Sequence, residues 1–517
     1  MGTLSSLTGG SGGGGGDPTG KFQAAAAIAN GDLLVLNANG TVQPVTSQQQ
    51  SGNFARSDNG TATYGNNGNP ASTYASVLIH MGTQDQYIMI MRDASSYLRF
   101  EVLEYSDATG TFSFVSGQGL PSSLYTNGWS VHVDQANEAI ILGYTNTSYY
   151  PRVKVIYHSG TSWNITGDSG HLMQSSTNNC MYVGRNDNGT IVAAGRENTG
   201  NRVGVATVSY NNAGGTPSHT SGFMNANNMR FQGSGMSGNA DLGGFFGHYV
   251  GNNRHVVHVR DTGDSFKSKL IAFTADSSGA TFGNAHETTF TTQNNYGSMT
   301  YDPVGNVGLV LYDNSTGANN APVTAFTVNS DLTITVHGKV STGYFYGAVG
   351  FNPFTKHFYV QTTRREMKTF KMNSSGVVSD ESTNDIVPSQ QSTIPDMYYG
   401  GLFPRVNSPF QVFSFNSGVG ISGNYINSSG IHGTMFHPAY LETDMDKHFG
   451  EAKEAISSGA AGSVGILNRS VDFTGSSFQE GQKLFANPSG TALATSGTYR
   501  VGHATDADTV LVLGDPS

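Results

Sequence analysis

Apolar residues recur along the chain in short, partly alternating runs that return about every 50 residues. Between residues 76 and 420 seven segments open with such a run, 49 to 64 residues apart when counted between first residues. They begin at Ser76, Val131, Met181, Phe245, Ser298, Gly347 and Gly401. Alternation with β-branched and aromatic residues favours strands over helices. A period of this length is typical of the four-stranded blades of a β-propeller.

Each opening run is followed by a polar turn and a second strand pattern, and in most units a third run leads into a hairpin. These hairpins read YSDATGTFSF, YHSGTSWNI, FTADSSGATF and KMNSSGVV. Asp, Asn, Ser and Gly supply the positive φ that such turns require. The seventh unit lacks clear third and fourth strands before Asn424. We therefore expect Asn53 to Tyr64 to supply a strand to the last blade and close the ring.

The pattern predicts an all-β protein, a seven-bladed β-propeller flanked by small N- and C-terminal β modules. We expect a Gly/Ser-rich arm over 1–19, a small β module over 20–50, the propeller over 51–433 and a C-terminal β domain over 434–517. A ring of seven blades takes about 350 residues as one domain, which leaves two flanks of modest size.

The two flanks resemble each other in sequence. Residues 31–42 read GDLLVLNANGTV and residues 481–492 read GQKLFANPSGTA, with five identities at one constant offset. Each contains a strand pattern followed by an Asn-x-x-Gly-Thr turn. We expect the two ends to form similar β folds or to pack together as one module outside the ring.

The composition and net charge of the chain argue against several classes of function. Charged residues make up 12% of the chain, against a typical share of about 25%, and 68 residues are glycine. A net charge of −10 without a basic stripe argues against a nucleic-acid partner. No apolar stretch reaches the ~18 to 20 residues that cross a bilayer, so no membrane insertion is expected. The first residues lack the pattern of a secretory signal, so we expect a chain made in a cytosol.

The residues that could bind a metal ion fit structural roles better than a metal site. His248, His255 and His258 fall on neighbouring strands of one blade, but the last two differ in parity and should point to opposite faces. Asn186 to Gly189 has the composition of a calcium loop, yet it lacks the downstream Glu of an EF-hand and is most simply a hairpin turn. Cys180 is the only cysteine and fits a small buried side chain. We predict no metal site and no cofactor.

Enzymatic alternatives find little support in the sequence. A sialidase-type site needs clustered arginines, whereas the arginines of the third and fourth units show no recognisable spacing. They are Arg185, Arg196, Arg202, Arg254 and Arg260. A pair of catalytic carboxylates would suit a glycoside hydrolase, but nothing singles out two of the 36 acidic residues. No catalytic residue is predicted.

Aromatic residues at or just before strand starts are the candidate ligand-binding residues. They are Trp129, Tyr149, Tyr150, Tyr346, Tyr398 and Tyr399. Aromatic faces beside Asn, Gln and Asp suit a neutral glycan, because sugar rings have apolar faces and many hydroxyl groups. The alternative is that these rings pack between blades.

The C-terminal run AKEAISSGAAGSVGILNRSV, followed by SFQEGQKLFANPSGTALATSGTYRVGHATDADTVLVL, is similar to small terminal β domains of tail-fibre and other virion proteins of tailed bacteriophages. The shorter FQAAAAIANGDLLVLNANGTVQPV resembles the same class. The resemblance covers about 90 of the 517 residues and carries over no catalytic residue. It implies a structural or host-recognition role on a phage particle.

The sequence-based hypothesis is therefore a non-enzymatic structural component of a tailed-phage virion, such as a tail fibre, an appendage or a capsid or tail decoration. Its propeller would be displayed for contact with the host surface. The resemblance implies virion proteins as partners of the terminal modules, a homo-oligomeric assembly and a location in the virion. The alternatives are a glycan-binding receptor-recognition lectin and a propeller glycoside hydrolase.

Overall fold

The structure is a computed structural model that describes much of the chain. The described residues are 19–28, 33–37, 39–44, 54–56, 77–92, 97–106, 111–146, 148, 150–173, 181–197, 202–211, 214–240, 246–288, 297–312, 322–341, 347–353, 357–362, 366–372, 378–385, 403–404, 411–416, 431–438, 448–466, 470–472, 478–479, 482–487, 493–497, 500–504 and 509–512. Across them the secondary structure is β, with short 3-10 turns at Gln135–Asn137, Asn227–Met229 and Thr262–Asp264. None of the described helical segments is long and apolar enough to span a membrane.

The strands are numbered in chain order. They are β1 (Thr19–Gln23), β2 (Leu33–Leu36), β3 (Val42–Pro44), β4 (Phe54–Arg56), β5 (Val77–Met81), β6 (Gln86–Arg92), β7 (Tyr97–Ser106), β8 (Thr111–Asp134), β9 (Ala139–Asn146), β10 (Pro151–Ser159), β11 (Ser162–Ile165), β12 (Met181–Arg185), β13 (Ile191–Arg196), β14 (Val203–Ser209), β15 (Ser218–His219), β16 (Phe246–Gly251), β17 (Arg254–Asp261), β18 (Lys267–Ala275), β19 (Ala280–Phe282), β20 (His286–Glu287), β21 (Gly297–Asp302), β22 (Val307–Tyr312), β23 (Pro322–Val328), β24 (Ile334–Ser341), β25 (Gly347–Asn352), β26 (His357–Thr362), β27 (Glu366–Met372), β28 (Val378–Asp385), β29 (Phe403–Pro404), β30 (Gln411–Asn416), β31 (Ile431–Pro438), β32 (His448–Ala452), β33 (Ala461–Ile466), β34 (Ser470–Asp472), β35 (Lys483–Phe485), β36 (Arg500–Ala504) and β37 (Thr509–Val512).

The chain divides into two compact units. Met1–Gln50 and Tyr440–Ser517 form one unit, and Ser51–Ala439 form the other. In the unit of the chain ends, β1 pairs with β33 and β2 pairs with β32, so strands from both ends share a five-stranded sheet. A second sheet of this unit has the order β34-β37-β36-β35. Side chains from both ends form one buried cluster, which includes Leu34 and Leu484.

The two similar end segments pack against each other. The first forms the predicted hairpin, in which β2 pairs with β3 across the turn at Asn37 to Thr41. Gly40 has a φ of +78°, and a Cβ there would lie 2.6 to 2.8 Å from Leu493, Ala486 and Val501. Glycine is required for both reasons, since the turn needs a positive φ and the neighbouring chain leaves no room for a side chain.

The larger unit has the propeller-like arrangement that the sequence predicts. Most of its sheets are antiparallel meanders in chain order, such as β12-β13-β14-β15 and β21-β22-β23-β24. The first strands of successive sheets contact one another, β12 with β16, β16 with β21, β21 with β25, β25 with β29 and β29 with β5. Because the first strands meet in this order, the sheets lie around a common axis.

The predicted number of separate sheets needs correction. In the described part of the larger unit there are six hydrogen-bonded sheets rather than seven. The cause is β8, a 24-residue strand that pairs with β7 along Thr111 to Ser123 and with β9 along Leu124 to Asp134. This strand joins the first two sequence units into one seven-stranded sheet with the order β11-β10-β9-β8-β7-β6-β5.

The predicted closing strand and hairpins are confirmed. β4 pairs with β31 and so adds a strand from before the first unit to the last sheet, β29-β30-β31-β4. The four hairpins that the sequence indicates join neighbouring strands of their sheets. Their end pairs are Ser106 with Thr111, Ser159 with Ser162, Ala275 with Ala280, and Met372 with Val378.

The cores lie between neighbouring sheets. One buried cluster combines Ile141 and Val155 of the first sheet with Val183 and Ala193 of the next. Burying a branched side chain of this kind contributes about 1.5 to 3 kcal/mol, so each interface fixes the sheets on both sides of it. The loops at the ends of the first strands are thereby held close together, and the candidate site lies among them.

Candidate functional site

The turn between β12 and β13 forms the centre of the candidate site. Asn186 N donates to Thr190 O at 2.8 Å, and Gly189 N donates to Asn186 O at 2.9 Å. Gly189 has a φ of +88°, which favours glycine. The sequence-based interpretation of Asn186 to Gly189 as a hairpin turn is confirmed. The turn exposes Asp187 and Asn188 to solvent.

A polar pocket of about 430 Å³ opens beside this turn, and we call it the Arg185 pocket. It lies between the β8–β9 connection, the β12–β13 turn and the end of β14. Its lining residues are Asn137, Arg185, Asp187, Asn188, Gly189, Thr190, Ser209, Tyr210 and Asn211. Eight of these nine residues carry a side chain that can form hydrogen bonds.

The charge of Arg185 is balanced inside the protein. Arg185 ends β12 and forms an ion pair with Asp134, which ends β8. Its Nε also donates to Gly189 O at 3.0 Å. The side chains of Arg185 and Asp134 are only 7% and 11% exposed. Burial lowers the pKa of Arg185, while nearby Tyr210 acts in the opposite direction. The pair therefore fixes two neighbouring strands and brings little net charge to the pocket.

Asp187 is oriented by the next sheet. The hydroxyl of Tyr249, on β16, donates to Asp187 Oδ1. Asp187 N donates to Asn253 Oδ1 at 2.8 Å, and Asn253 N donates to the Tyr249 hydroxyl at 3.2 Å. Burial, together with the hydrogen bond to Asp187, raises the pKa of Tyr249 to about 12. This closed set of bonds holds the carboxylate of Asp187 in one orientation at the rim of the pocket.

A buried histidine supports the turn from below. The Tyr182 hydroxyl donates to His255 Nδ1 at 2.8 Å, and His255 Nε2 donates to Asn186 Oδ1 at 2.8 Å. The amide nitrogen of Asn186 donates to Ala275 O at 2.9 Å, so its oxygen must face the imidazole and Nε2 must carry the proton. Burial, with His132 and His248 nearby, lowers the pKa of His255 to about 3. A neutral ring in a fixed tautomer therefore positions the turn.

The structure separates the histidines as the strand parity predicts. His255 contacts Tyr182 and Asn186, whereas His258 stacks on Phe246 with ring centroids 4.4 Å apart. No group of three or more His, Cys, Asp or Glu side chains in the described part of the chain is placed to hold a metal ion. Cys180 lies outside the described residues.

Two of the six predicted aromatic ligand-binding residues fall within the described residues. Trp129 is 4% exposed and belongs to the buried cluster of the first sheet, so its ring packs in the core and does not line the pocket. Tyr150 is partly buried and stacks on His171, with centroids 3.9 Å apart and planes inclined by 6°. The remaining four, Tyr149, Tyr346, Tyr398 and Tyr399, lie outside the described residues.

The sequence reasoning did not identify the pocket, although it noted the turn. Asp187 and Asn188 lie in the turn after β12, whereas Asn137 and Tyr210 are distant along the chain and carry no common motif. The available signal was positional, because polar residues at the ends of successive first strands meet at one face of a propeller.

Comparisons with known proteins add information on the fold. No protein-family model matches the chain, and no curated protein matches it. Similar solved structures include the periplasmic gluconolactonase PpgL of Pseudomonas aeruginosa, with 12% identity, a TM-score of 0.44 and coverage of 73% of this chain and 97% of that chain. A protein from Bacteroides uniformis, provisionally assigned as a 6-phosphogluconolactonase, has 11% identity, a TM-score of 0.43 and coverage of 72% and 98%. Raptor of Chaetomium thermophilum has 8% identity, a TM-score of 0.45 and coverage of 76% and 29%.

These findings correct the functional hypothesis drawn from the sequence. Two of the three similar structures carry the names of lactonases, none is named as a phage protein, and no family model supports the resemblance to phage fibre termini. The prediction of a structural role in a virion is therefore withdrawn. The prediction that the protein is not an enzyme is withdrawn as well. At these identities the likeness concerns the fold, and a propeller fold assigns no particular reaction.

Proposed function

We propose that the larger unit binds a neutral, hydroxyl-rich ligand of the carbohydrate class in the Arg185 pocket. The observation that carries the proposal is the lining, which consists almost entirely of amide, hydroxyl, carboxylate and guanidinium groups. Vicinal hydroxyl groups both donate and accept hydrogen bonds. Amide side chains such as those of Asn188 and Asn211 can satisfy both roles.

Charge balance favours a neutral ligand over an anionic one. Among the described lining residues Arg185 is the only cation, and its charge is already paired with Asp134. Asp187 adds a carboxylate, which accepts hydrogen bonds from hydroxyl groups and repels anions. The partly buried ring of Tyr210 offers an apolar surface for the carbon face of a sugar.

The site is organised before a ligand arrives. Asp187 is held by Tyr249, and the turn that carries it is held by His255 through Asn186. Side chains that are already ordered lose less conformational entropy on binding than mobile ones. The contacts with two neighbouring sheets therefore increase the affinity of this shallow polar pocket for a ligand.

The test is a glycan-array screen followed by titration calorimetry with the neutral saccharides that bind. The substitution Asn188→Ala removes an exposed amide from the pocket and should weaken binding about twofold to tenfold, the value of one net hydrogen bond. Asn228→Ala is the matched control, because Asn228 is also an exposed asparagine with one side-chain hydrogen bond, to Ser278 O at 2.8 Å, and it lies outside the pocket.

Binding of neutral saccharides that is weakened by Asn188→Ala and not by Asn228→Ala supports the proposal. Absence of binding, or equal effects of the two substitutions, overturns it. The same mixtures are analysed for cleaved products, so that turnover of a bound saccharide is detected together with binding. Turnover that is insensitive to Asn188→Ala would also overturn the assignment to this pocket.

We further infer that the ring has seven blades, with β8 shared between the first two. Support comes from the pairing of β8, whose first half pairs with β7 and whose second half pairs with β9. The contact between β8 and β12 gives further support. Counted in this way, each blade has its own first strand in the ring. An experimental density map with six radial sheets would contradict this inference.

A further inference from the structure

A second pocket lies on the larger unit, outside the site described above. It has a volume of about 330 Å³ and is formed by the start of β14, by β18 and by the long connection between β15 and β16. We call it the Arg202 pocket. Its lining residues are Arg202, Val203, Phe231, Gln232, Gly233, Met236, Ser237, Gly238, Asn239, Ala240 and Ile271.

The connection that forms one wall is firmly held. The buried carboxylate of Asp261 accepts hydrogen bonds from Ser237 N at 2.6 Å and from Gly238 N at 2.8 Å. Asn239 N donates to Thr262 Oγ1 at 3.0 Å. Because the backbone of this wall is fixed by β17 and the turn that follows it, little conformational entropy is lost when a ligand binds.

The surface that this pocket offers to a ligand is mainly polar. Its apolar side chains Val203, Phe231 and Ile271 are at most 4% exposed, because they belong to a buried cluster. The side chains of Ser237 and Asn239 are exposed, and neither of them forms a hydrogen bond with another described residue. A hydroxyl and an amide group both donate and accept hydrogen bonds, so the two side chains suit the hydroxyl groups of a ligand.

Arg202 supplies an exposed positive charge to this pocket. Its Nη1 donates to Phe231 O at 3.3 Å and to Gln232 Oε1 at 3.1 Å, both of which are neutral acceptors. The buried carboxylate of Glu197 accepts instead from the backbone nitrogen of Arg202 at 3.3 Å. In the described part of the chain no acidic side chain forms an ion pair with this guanidinium. Its remaining donors match the geometry of a carboxylate.

The charges around the pocket distinguish between classes of anion. Among the described lining residues Arg202 is the only charged one. One guanidinium balances a monoanion but leaves half the charge of a phosphate dianion uncompensated, and the carboxylate of Asp261 behind the wall repels a second negative charge. An amino acid would bring an ammonium group for which these lining residues offer no carboxylate. The pocket therefore favours a simple monocarboxylate.

We propose that the Arg202 pocket binds a hydroxylated monocarboxylate of the size of one sugar ring, such as a uronic acid. The carboxylate would lie on Arg202, and the ring hydroxyl groups would bond to Ser237 and Asn239. A volume of about 330 Å³ lies at the lower end of the range for small-molecule pockets, about 300 to 1,000 Å³, and so suits a single ring.

This inference does not depend on the proposed carbohydrate site. The two pockets share no lining residue. The charge of Arg185 is balanced by Asp134, whereas the charge of Arg202 is available to a ligand. The Arg185 pocket therefore favours neutral ligands, and the Arg202 pocket favours acidic ones.

The test titrates methyl glucuronide, and its uncharged analogue methyl glucoside, into the full-length protein labelled with ¹³C at the methionine methyl groups. Met236 lines the pocket, so its methyl signal reports binding at this place, and Met236→Leu assigns that signal. We expect the glucuronide to bind roughly tenfold to hundredfold more tightly than the glucoside, the range for a charge-assisted hydrogen bond. Acetate, which has the carboxylate without the hydroxyl groups, should bind at least tenfold more weakly than the glucuronide.

Two kinds of variant separate the charge from the hydroxyl contacts. Arg202→Gln should abolish the preference for the acid, and Arg202→Lys should retain part of it. Asn239→Ala should weaken the glucuronide about twofold to tenfold, the value of one net hydrogen bond. Asn228→Ala, at an exposed asparagine outside both pockets, is the matched control and should change nothing. Asn188→Ala should leave the Met236 response unchanged, which separates this site from the Arg185 pocket.

Thermal melting identifies variants that fail to fold. The proposal is overturned if the Met236 signal does not respond to the glucuronide, or if acid and glucoside bind equally. It is also overturned if Arg202→Gln leaves the affinity for the acid unchanged, or if acetate binds as tightly as the glucuronide.

Discussion

At the scale of single residues, Glu101 is an acidic side chain with little compensation for its burial. It lies on β7 opposite Gly117, is 6% exposed, and its Oε2 has no hydrogen-bond partner among the described residues. Burial raises the pKa of Glu101 from 4.5 to about 7, and nearby Arg99 partly opposes this effect. The protonated form is therefore the one that the folded protein favours.

Glu101→Gln should stabilise the protein at neutral and alkaline pH. A raised native pKa gives stability that is complete below pH 4.5 and is lost as the pH rises through about 7. Glutamine cannot ionise, so the variant should exceed the wild type by about 1 to 3 kcal/mol at pH 8 and match it near pH 4.5. Denaturant unfolding at both pH values measures the difference. A pH-independent difference would contradict the prediction.

Tyr182→Phe tests the buried support of the candidate site. The substitution removes the donor to His255 Nδ1 and leaves that buried nitrogen without this bond, which should cost about 1 to 3 kcal/mol. Because His255 also holds Asn186, saccharide binding in the Arg185 pocket should weaken as well. Chemical denaturation and calorimetry measure the two effects. Unchanged stability would show that the hydroxyl group has no structural role.

At the scale of elements, an ion pair joins the ends of two neighbouring strands. Asp134 ends β8, Arg185 ends β12, and their ion pair is largely buried. Asp134 also accepts from Asn137 N at 3.2 Å, which holds the 3-10 turn that lines the Arg185 pocket. One carboxylate thus links two strands and a turn, and the pocket depends on all three.

Asp134→Asn should destabilise the protein by about 3 to 5 kcal/mol, because it leaves a buried guanidinium without its carboxylate. The matched control is Asp168→Asn, which removes the charge from the pair with Arg152, where both side chains are 22% exposed. That change should cost about 1 kcal/mol or less. Denaturant unfolding of both variants measures the contrast. Equal losses would contradict the role assigned to burial.

At the scale of the whole molecule, the larger unit is closed by a short strand from far along the chain. β4 pairs with β31 and covers the edge of the last sheet. An uncovered edge presents free backbone donors and acceptors to other chains. The closing strand therefore protects the unit from edge-to-edge association as well as completing a sheet.

A chain of residues 51–439 should fold as an independent β unit, and a chain of residues 57–439 should be less stable by about 3 kcal/mol, the value of a few hydrogen bonds. Thermal unfolding followed by circular dichroism compares the two chains, and light scattering detects association. The shorter chain should also aggregate more readily. Identical melting and solubility would show that β4 contributes nothing to closure.

The sequence by itself determined the strands, the hairpins and the closing segment. These features are local, because alternation marks a strand and Asn, Asp and Gly mark its turn. The turn at Asn186 to Gly189 is an example, since its composition alone identifies a hairpin. The opposite orientation of His255 and His258 followed in the same way from the two-residue period of a strand.

Only the tertiary structure decided which residues meet across the molecule. Trp129 was a candidate ligand-binding residue, but packing placed its ring in a core. The pairing of β8 with both β7 and β9 could not be read from local patterns, because a strand's sequence does not state its partners. Arg185 and Arg202 both belong to the third sequence unit. The carboxylate of Asp134 balances the charge of Arg185, whereas Nη1 of Arg202 donates to the backbone oxygen of Phe231, because the folded chain brings different groups to the two arginines.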